Sequence, residues 1–446
     1  MRIKGFMRAG FIVCVNVVFV AVLLEGGAFP AYWLFVHDAE NDLRPRERLL
    51  AGAGGAAGAN FPGRAVSSEF DPNTVLHPYL GYVRMPRAAS ADIQDTEFGV
   101  SRFGFLGDHS RLERSDDEVI VAISGGSVAT VFFKRGTEAL RGHLERSPSF
   151  AGKKIRFVSF SLAGFKQPQA LMALNYFLVL GAEFDVWINL DGFNEIVLPI
   201  AENLPAQVAL EYPRMWHLYA RKTPDREVLL KMAEVEALQR ERSALRRLFA
   251  RPALSHSRFF LLVWDLLDRA KRSEVSELSQ AINELLFESP PSPQTSGPAF
   301  DRAPGLEGEA LMEAAQLWKR SSVQMAHLCA ANGIEYYHFL QPNQHYEGSK
   351  PFSLHEKDFA VARGGYARFA RKGYPVLVAA GASLLESDVP FYDLTGIFAK
   401  ETRTVYIDSC CHVNQLGNDL LAEAIADAIV ERREHLQELE FARSTP

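Results

Sequence analysis

Cysteine is scarce in this chain, with four residues in 446. So few cysteines in so long a chain exclude a disulfide framework. Cys410 and Cys411 are adjacent and are followed by His412. Paired ligands of structural zinc sites are usually separated by about two to four residues, so this run predicts no metal site. Two small buried side chains or a strained vicinal disulfide are the interpretations that remain.

An excess of positive charge is also absent. The formal net charge is −6, and the basic residues are scattered apart from a cluster between Arg240 and Arg251. Proteins that bind nucleic acid concentrate basic residues on one surface, so we expect no nucleic-acid partner. Internal repeats are lacking, and 48% hydrophobic with 23% charged residues is typical of a globular protein.

Long apolar runs are missing except near the N-terminus. Three basic residues at positions 2, 4 and 8 precede an apolar run over 11–24. Counted from Gly5, with Arg8 extending to the interface, this segment reaches the roughly 20 residues of a membrane-spanning helix. The basic flank predicts that the N-terminus stays in the cytoplasm and that the rest of the chain lies outside it.

A cleaved signal peptide is the alternative for this segment, with Gly26-Gly27-Ala28 as the processing site. No Ala-x-Ala pattern follows the apolar run directly, and aromatic residues over 31–35 suit a membrane interface. We therefore predict an uncleaved membrane anchor over residues 1–36. The glycine- and alanine-rich residues 37–70 predict a flexible tether.

From Glu118 onward, short apolar runs alternate with helical patterns, which is typical of a parallel sheet covered on both faces. The predicted strands span residues 118–123, 154–160, 185–190, 334–340 and 403–408. They favour an α/β fold, a three-layer sandwich around a five-stranded parallel sheet.

More than a hundred residues separate the third and fourth predicted strands. Apolar positions at helical spacing predict helices over 224–249, 257–287 and 307–332. A loop of that length without structure is improbable, so we predict an inserted helical subdomain over 201–325. It divides the α/β domain into residues 71–200 and 326–446.

A candidate nucleophile follows the first predicted strand. Gly125 and Gly126 permit a tight turn that exposes the hydroxyl of Ser127 at the carboxyl edge of the sheet, where ligands bind in open α/β folds. A serine here also suits a helix N-cap, and Gly-Gly-Ser is most often a simple turn. A serine nucleophile needs a base and a group that orients the base.

His412 and Asp408 are the candidates for these two roles. His412 precedes the last amphipathic helical pattern, and Asp408 ends the last predicted strand. A lone Asp and His this close is most often a surface pair. The oxyanion of an ester intermediate also needs fixed donors. Asn194 and Gly164 follow two other predicted strands and would supply them, although a helix cap and a turn are their ordinary roles.

The ordered set Ser127, Gly164, Asn194 and His412 resembles the four blocks of the SGNH superfamily of hydrolases, the GDSL-like esterases and lipases. The resemblance covers residues 118–195 and 334–432. It implies a flavodoxin-like fold in which Ser127 is the nucleophile and first oxyanion donor. Gly164 and Asn194 would be the other donors, and His412 the base.

Two positions depart from this family. Its members usually place the acid where this chain has Ser409, whereas Asp408 is one residue earlier. Many members also carry an aspartate where this chain has Gly126.

Two further segments, one before the candidate nucleophile and one after the fourth predicted strand, can be interpreted from the sequence. Residues 77–82 and 98–105 resemble the lead-in to the serine block of membrane-anchored bacterial members, with an ordinary N-terminal extension as the alternative. Gln341 and Asn343 follow the fourth predicted strand, and we predict that they line a sugar-binding cleft. His345 is predicted to be a surface residue.

The resemblance implies a serine esterase or O-acyltransferase without a metal or organic cofactor, anchored in the bacterial inner membrane with its catalytic domain in the periplasm. Membrane-tethered members that O-acetylate exported alginate suggest an acylated cell-surface or exported polysaccharide as substrate and polysaccharide-export proteins as partners. The alternative is a catalytically weak or inactive scaffold that binds glycan in polysaccharide export. The displaced acid and the large insertion support that alternative.

Overall fold

The computed structural model describes residues 74–85, 99–206, 208–216, 226–288, 307–362 and 364–444, together with positions 26 and 49. The predicted anchor over 1–36 and the predicted tether over 37–70 lie outside the described residues, apart from those two positions. Within the described part of the chain, no helix combines the length and the apolar character that a membrane crossing requires.

Two short strands form a hairpin, and five others form a parallel sheet. The hairpin pairs β1 (Thr74–His77) with β2 (Gly81–Arg84) in antiparallel register. The parallel sheet consists of β3 (Glu118–Gly125), β4 (Lys154–Ser161), β5 (Val186–Asp191), β6 (Glu335–Leu340) and β7 (Phe391–Asp393). Its spatial order is β4-β3-β5-β6-β7, which is the strand order of doubly wound, flavodoxin-like sheets.

The described helices lie between and after these strands. Those that precede β6 are α1 (Ser127–Arg135), α2 (Thr137–Leu144), α3 (Gln169–Val179), α4 (Phe193–Leu198), α5 (Arg226–Phe249), α6 (Pro252–Ser255), α7 (Arg258–Glu288) and α8 (Glu307–Ala331). Those that follow β6 are α9 (Leu354–Ala360), α10 (Tyr366–Leu385) and α11 (Gln415–Ser444).

The chain reverses its direction across the sheet at β3. It steps from β3 to β4 on one side and then to β5, β6 and β7 on the other. Right-handed crossovers put the helices of these two steps on opposite faces of a sheet. Accordingly, α11 packs against α1 and α2, while α8 packs against α3 and α10. The fold is α/β with a five-stranded parallel sheet, consistent with a three-layer sandwich.

Four of the five predicted strands are confirmed, because their apolar runs are the buried centre of the sheet. All eight residues of β3 are buried, as are all six of β5. Trp187 on β5 stacks on Phe160 of β4 with 5.0 Å between ring centroids, on the side of the sheet where Phe177 of α3 also packs. The sheet edge that carries the candidate residues is therefore supported by a tightly packed core.

The fifth predicted strand, 403–408, is wrong, since β7 holds that place in the sheet. Within 403–408 the described pairing is an isolated antiparallel bridge between Tyr406 and Val413. The cause is the fully buried Glu356, whose Oε1 accepts the amides of Val405 and Tyr406 at 3.0 and 3.1 Å. Those amides are not available to a strand neighbour, so Asp408 lies in a loop instead of at a strand end.

The helices predicted between the third and fourth strands are present as α5, α7 and α8. Helices α5 and α7 pack against each other. Their contact buries Val235, Leu238, Val275 and Ile282 in a cluster of its own, separate from the main core. Amphipathic spacing thus identified these helices correctly, because each has one apolar stripe to bury.

Candidate active site

Ser127 is the first residue of α1 and lies directly beyond the carboxyl end of β3. The N-cap position belongs to Gly126, so the alternative that Ser127 caps the helix is wrong. The Ser127 amide is in the first turn, where backbone donors have no helical acceptor. Its side chain is half-buried, and its hydroxyl makes no hydrogen bond to the described residues. The residue therefore offers both an amide and a hydroxyl to the sheet edge.

The two glycines before Ser127 are required by close contacts. Gly125 has a φ of +138°, and a Cβ atom there would lie 2.1 Å from the Leu190 carbonyl oxygen on the neighbouring strand β5. A Cβ atom on Gly126 would lie 2.2 Å from Nδ2 of Asn194. Larger residues at either position would therefore displace the neighbouring strand or the Asn194 amide.

Asn194 and Gly164 meet at the same edge. Asn194 lies in the first turn of α4 with 8% of its surface exposed, and its Nδ2 donates to the Phe165 carbonyl at 2.7 Å. Gly164 comes just before Phe165 in the loop after β4 and has a φ of +78°. One hydrogen of the Asn194 amide is thus used to hold the Gly164 loop, and the second remains for another acceptor.

Asp408 and His412 form a close pair although the carboxylate is one residue earlier than the resemblance implies. Asp408 Oδ2 lies 2.5 Å from Nδ1 of His412. The other oxygen, Oδ1, accepts the amides of Cys410, Cys411 and His412 at 2.9, 3.1 and 3.3 Å. The loop over 408–412 therefore folds around the carboxylate and delivers it to the imidazole.

The electrostatics of this pair favour an ionised carboxylate and a basic imidazole. Burial opposes the charge on Asp408, but its hydrogen bond to His412, the charge of His412 and the backbone amides hold the Asp408 pKa below its usual value. Burial likewise opposes protonation of His412, yet the hydrogen bond to and charge of Asp408 raise the His412 pKa to about 9. The imidazole is therefore protonated below about pH 9 and is available as a proton acceptor above that pH.

The structure brings the candidate base His412 and the candidate nucleophile Ser127 onto neighbouring elements without a hydrogen bond between them. Among the described residues, the Ser127 hydroxyl and Nε2 of His412 have no hydrogen-bond partner. Helix α11, which begins just after His412, packs against α1. At that contact the Gln415 side chain donates to the Arg135 carbonyl at 2.8 Å.

Gln341 and Asn343, predicted to line a sugar-binding cleft, are enclosed in the protein. Their exposed fractions are 3% and 0%. Nδ2 of Asn343 donates to the Cys410 carbonyl at 3.3 Å. As described, these side chains face protein instead of an open cleft, and Asn343 supports the 408–412 loop.

Two neighbours give the same loop further support, and sequence reasoning missed both. Gln344 donates to the Asp408 carbonyl at 2.9 Å, and Nε2 of His345 lies 2.8 Å from the Ser409 carbonyl oxygen. The prediction that His345 is a surface residue is wrong, because it is only 5% exposed. Its signal in the sequence was the polar run directly after a buried strand, at the same sheet edge as the candidate nucleophile.

A second chain of Asp, His and Ser residues lies beneath the site and was also missed. Asp191 Oδ1 is 2.8 Å from Nε2 of His338, and Nδ1 of His338 is 2.7 Å from the Ser322 hydroxyl. The three side chains are at most 1% exposed, so no substrate reaches this serine. Trp318 also donates to Asp191, at 2.7 Å. These hydrogen bonds join β5, β6 and α8, so their role is structural.

Lys166 is a buried cation two residues beyond Gly164. Its Nζ donates to the carbonyls of Leu210 and Tyr212 at 2.5 and 2.6 Å. Burial lowers the Lys166 pKa to about 8, although nearby acids led by Glu195 oppose the shift. Burial of Glu195, together with the charge of Asp191, raises the pKa of Glu195 well above its usual value. The segment behind the Gly164 loop thus carries ionisable groups at an energetic cost.

Comparison with known proteins identifies no family. No protein-family model matches the chain, and no curated protein matches it. The chemistry of the site must therefore be inferred from its own residues.

Proposed function

We propose that the protein is a serine esterase or O-acyltransferase of the SGNH type that works through an acyl-enzyme at Ser127. The observation that carries this proposal is the 2.5 Å contact between Asp408 and Nδ1 of His412. It supplies an oriented base on a loop next to the helix that Ser127 begins. A serine hydroxyl becomes a nucleophile when a base of this kind removes its proton.

In the proposed reaction, the Ser127 hydroxyl attacks the carbonyl carbon of an ester while His412 Nε2 takes the hydroxyl proton. Asp408 keeps the other ring nitrogen protonated and stabilises the imidazolium. The Ser127 and Gly164 amides and the free hydrogen of the Asn194 amide stabilise the oxyanion. Collapse of the intermediate expels the alcohol, which receives the proton from His412. Water or a sugar hydroxyl then attacks the acyl-enzyme, which gives hydrolysis or transfer.

We infer that the substrate is an acylated cell-surface or exported polysaccharide and that the domain acts in the periplasm. The support is the basic flank and apolar run over 2–24, which lie outside the described residues, and the resemblance to membrane-anchored bacterial members. Reporters fused after Pro446 test the topology. A reporter that functions only in the periplasm should be active there, and activity of one that functions only in the cytoplasm would reverse the orientation.

A glycan-binding scaffold without catalysis is the second candidate. It is favoured by one observation, the lack of a hydrogen bond between the Ser127 hydroxyl and His412 among the described residues. A scaffold needs the sheet edge as a surface and does not need an activated serine.

Covalent labelling of the full-length protein with a fluorophosphonate separates these candidates, because the reagent reacts with an activated serine. We expect one adduct, on Ser127, which Ser127→Ala removes. Ser110→Ala is the matched control, since that serine is exposed and lies outside the strands and helices. Labelling that survives Ser127→Ala excludes the proposed nucleophile. A folded wild type that takes up no label favours the scaffold.

A further inference from the structure

The thiols of Cys410 and Cys411 lie beside the candidate base and have no part in the esterase chemistry. Both cysteines are free, and their Sγ atoms are 3.1 Å apart. Together with His412, each offers one ligand atom, and the three atoms all lie within 4.8 Å of one another. Among the described residues this is the group of histidine, cysteine and acidic side chains whose spacing suits one metal ion.

Although the adjacent spacing of the two cysteines predicted no metal site from the sequence, we propose that Cys410, Cys411 and His412 bind a single thiophilic metal ion of the Zn²⁺ type. Two thiolates and an imidazole are donors that bind zinc in preference to harder cations. Three protein ligands leave the fourth tetrahedral position open for water, as in zinc sites that are not purely structural. On binding, the ion replaces the two thiol protons and any proton on Nε2 of His412, and these protons leave to solvent.

The contact between Asp408 and His412 is what a zinc ligand of this kind requires. A histidine that binds a metal usually donates its other ring N–H to a carboxylate, which fixes the ring and its tautomer. Asp408 takes Nδ1 in this way, so Nε2 is the nitrogen left for the ion. The same carboxylate accepts the amides of Cys410 and Cys411 and so organises the ligands before any metal arrives.

The loop is accessible on one side and supported on the other. Cys410 and His412 are half-buried, whereas Cys411 is 1% exposed, so an ion reaches the group from solvent through the first two. Two sulfur ligands at about 2.3 Å from a tetrahedral ion are about 3.8 Å apart. The sulfurs, now 3.1 Å apart, would therefore separate slightly as the ion enters.

Cobalt(II) is a suitable probe, since it takes tetrahedral zinc sites and its thiolate complexes absorb in the near ultraviolet. The full-length protein, kept reduced with a phosphine, is titrated with Co²⁺. We expect thiolate-to-cobalt bands that saturate at one ion per chain and vanish when Zn²⁺ is added. The double variant Cys410→Ser/Cys411→Ser should lose them. Cys329→Ala, which removes a buried cysteine on α8, should keep them.

Two further variants test the nitrogen ligand and its partner. His412→Ala should shift the visible cobalt bands by removing a nitrogen donor. Asp408→Asn should weaken the binding of Co²⁺ by about 10–100-fold, as expected for the partner of a ligating histidine. Circular dichroism shows whether each variant folds. If the double variant does not fold, the single variant Cys410→Ser, at a half-buried position, replaces it in the titration.

Bands that persist without both thiols, or reduced wild-type protein that gives none, overturn the proposal. These spectra do not depend on the esterase, so an inactive protein that binds cobalt through its thiols would refute the proposed function alone. Where both proposals hold, Zn²⁺ occupies Nε2 of His412 and inhibits turnover reversibly, and a chelator restores it.

Discussion

Nδ2 of Asn194 lies 2.2 Å from the point that a Cβ atom on Gly126 would occupy. The asparagine amide therefore fills the space that a side chain at position 126 would need, which requires a glycine there. The same contact makes the position of Asn194, the candidate oxyanion donor, sensitive to a substitution at Gly126.

Gly126→Ala should displace the Asn194 amide and lower kcat by about 10²–10³, the usual cost of losing one oxyanion donor. Turnover of a short acyl ester measures the effect. The control is Gly142→Ala in helix α2, where a Cβ atom meets nothing within 4 Å. It should keep its activity and gain about 0.5–1 kcal/mol in the free energy of unfolding. Equal activity of both variants would remove Asn194 from the mechanism.

Asp408→Asn should depress kcat severely, because its amide would favour the wrong imidazole tautomer. The corresponding loss in serine proteases is about 10⁴. The asparagine carbonyl can still accept the loop amides that Oδ1 accepts now. Asp393→Asn is the control, since Asp393 also accepts a backbone amide, at 2.8 Å, and has no hydrogen bond to a histidine within the described part of the chain. A nearly silent Asp408→Asn would leave a Ser-His dyad.

Lys166→Met should change how stability depends on pH. Burial lowers the Lys166 pKa from 10.5 to about 8, so between these values the unfolded chain binds a proton that the native state has released. The contribution of Lys166 to the free energy of unfolding should therefore rise with pH across this window, by about 1.4 kcal/mol per unit. The His412 pKa, raised to about 9, contributes a slope of opposite sign below that value in both proteins. In urea unfolding from about pH 7 to about pH 10, the wild type should therefore gain stability with pH relative to Lys166→Met, and this difference in slope isolates Lys166. Lys153→Met, at an exposed position, should retain the wild-type slope.

Glu356→Gln should destabilise the protein by about 3–5 kcal/mol, because it leaves the buried Lys350 without its counter-charge. The two groups are 2.8 Å apart, and neither side chain is exposed. Adding Lys350→Met should recover part of the loss in urea unfolding. Glu307→Gln is the control, since its partners Arg368 and Lys372 are exposed, and it should cost at most about 1 kcal/mol. A mild Glu356→Gln would mean that the lysine finds other partners.

Glu356 also explains why the last predicted strand failed. An apolar run identified β3 to β6 because central parallel strands are buried on both faces. Residues 403–408 have a similar pattern, but their amides bond to a glutamate about fifty residues earlier in the chain. A contact of that kind produces no periodic pattern in the sequence. The three-residue strand β7 is equally hidden, since it is too short to show alternation.

The candidate site likewise has a part that could be predicted from the sequence and a part that could not. The sequence places Ser127, Asn194 and Gly164 shortly after strands. Topology alone therefore predicts that these residues lie close together at one edge of the sheet. The loop over 408–412 could not be predicted, since its shape depends on backbone amides that turn toward Asp408. The burial of Gln341 and Asn343 was missed because polar residues after a strand suggest an exposed edge, whereas here they fasten one loop to another.

The register of β3 against β5 sets the distance between the candidate nucleophile, Ser127, and the candidate oxyanion donor, Asn194. Ser124 pairs with Asn189 and Gly125 with Leu190, and each strand then leads within a few residues to its part of the site. The smallest slip that keeps the same faces buried is two residues, which is about 6.6 Å along a parallel strand. A sheet slipped by that step would move Ser127 away from Asn194 by more than two hydrogen-bond lengths, and it would place a residue with a Cβ atom against the Leu190 carbonyl, where Gly125 now leaves room. If the proposed mechanism holds, fluorophosphonate uptake would report the fraction of a preparation in which the two strands are correctly aligned.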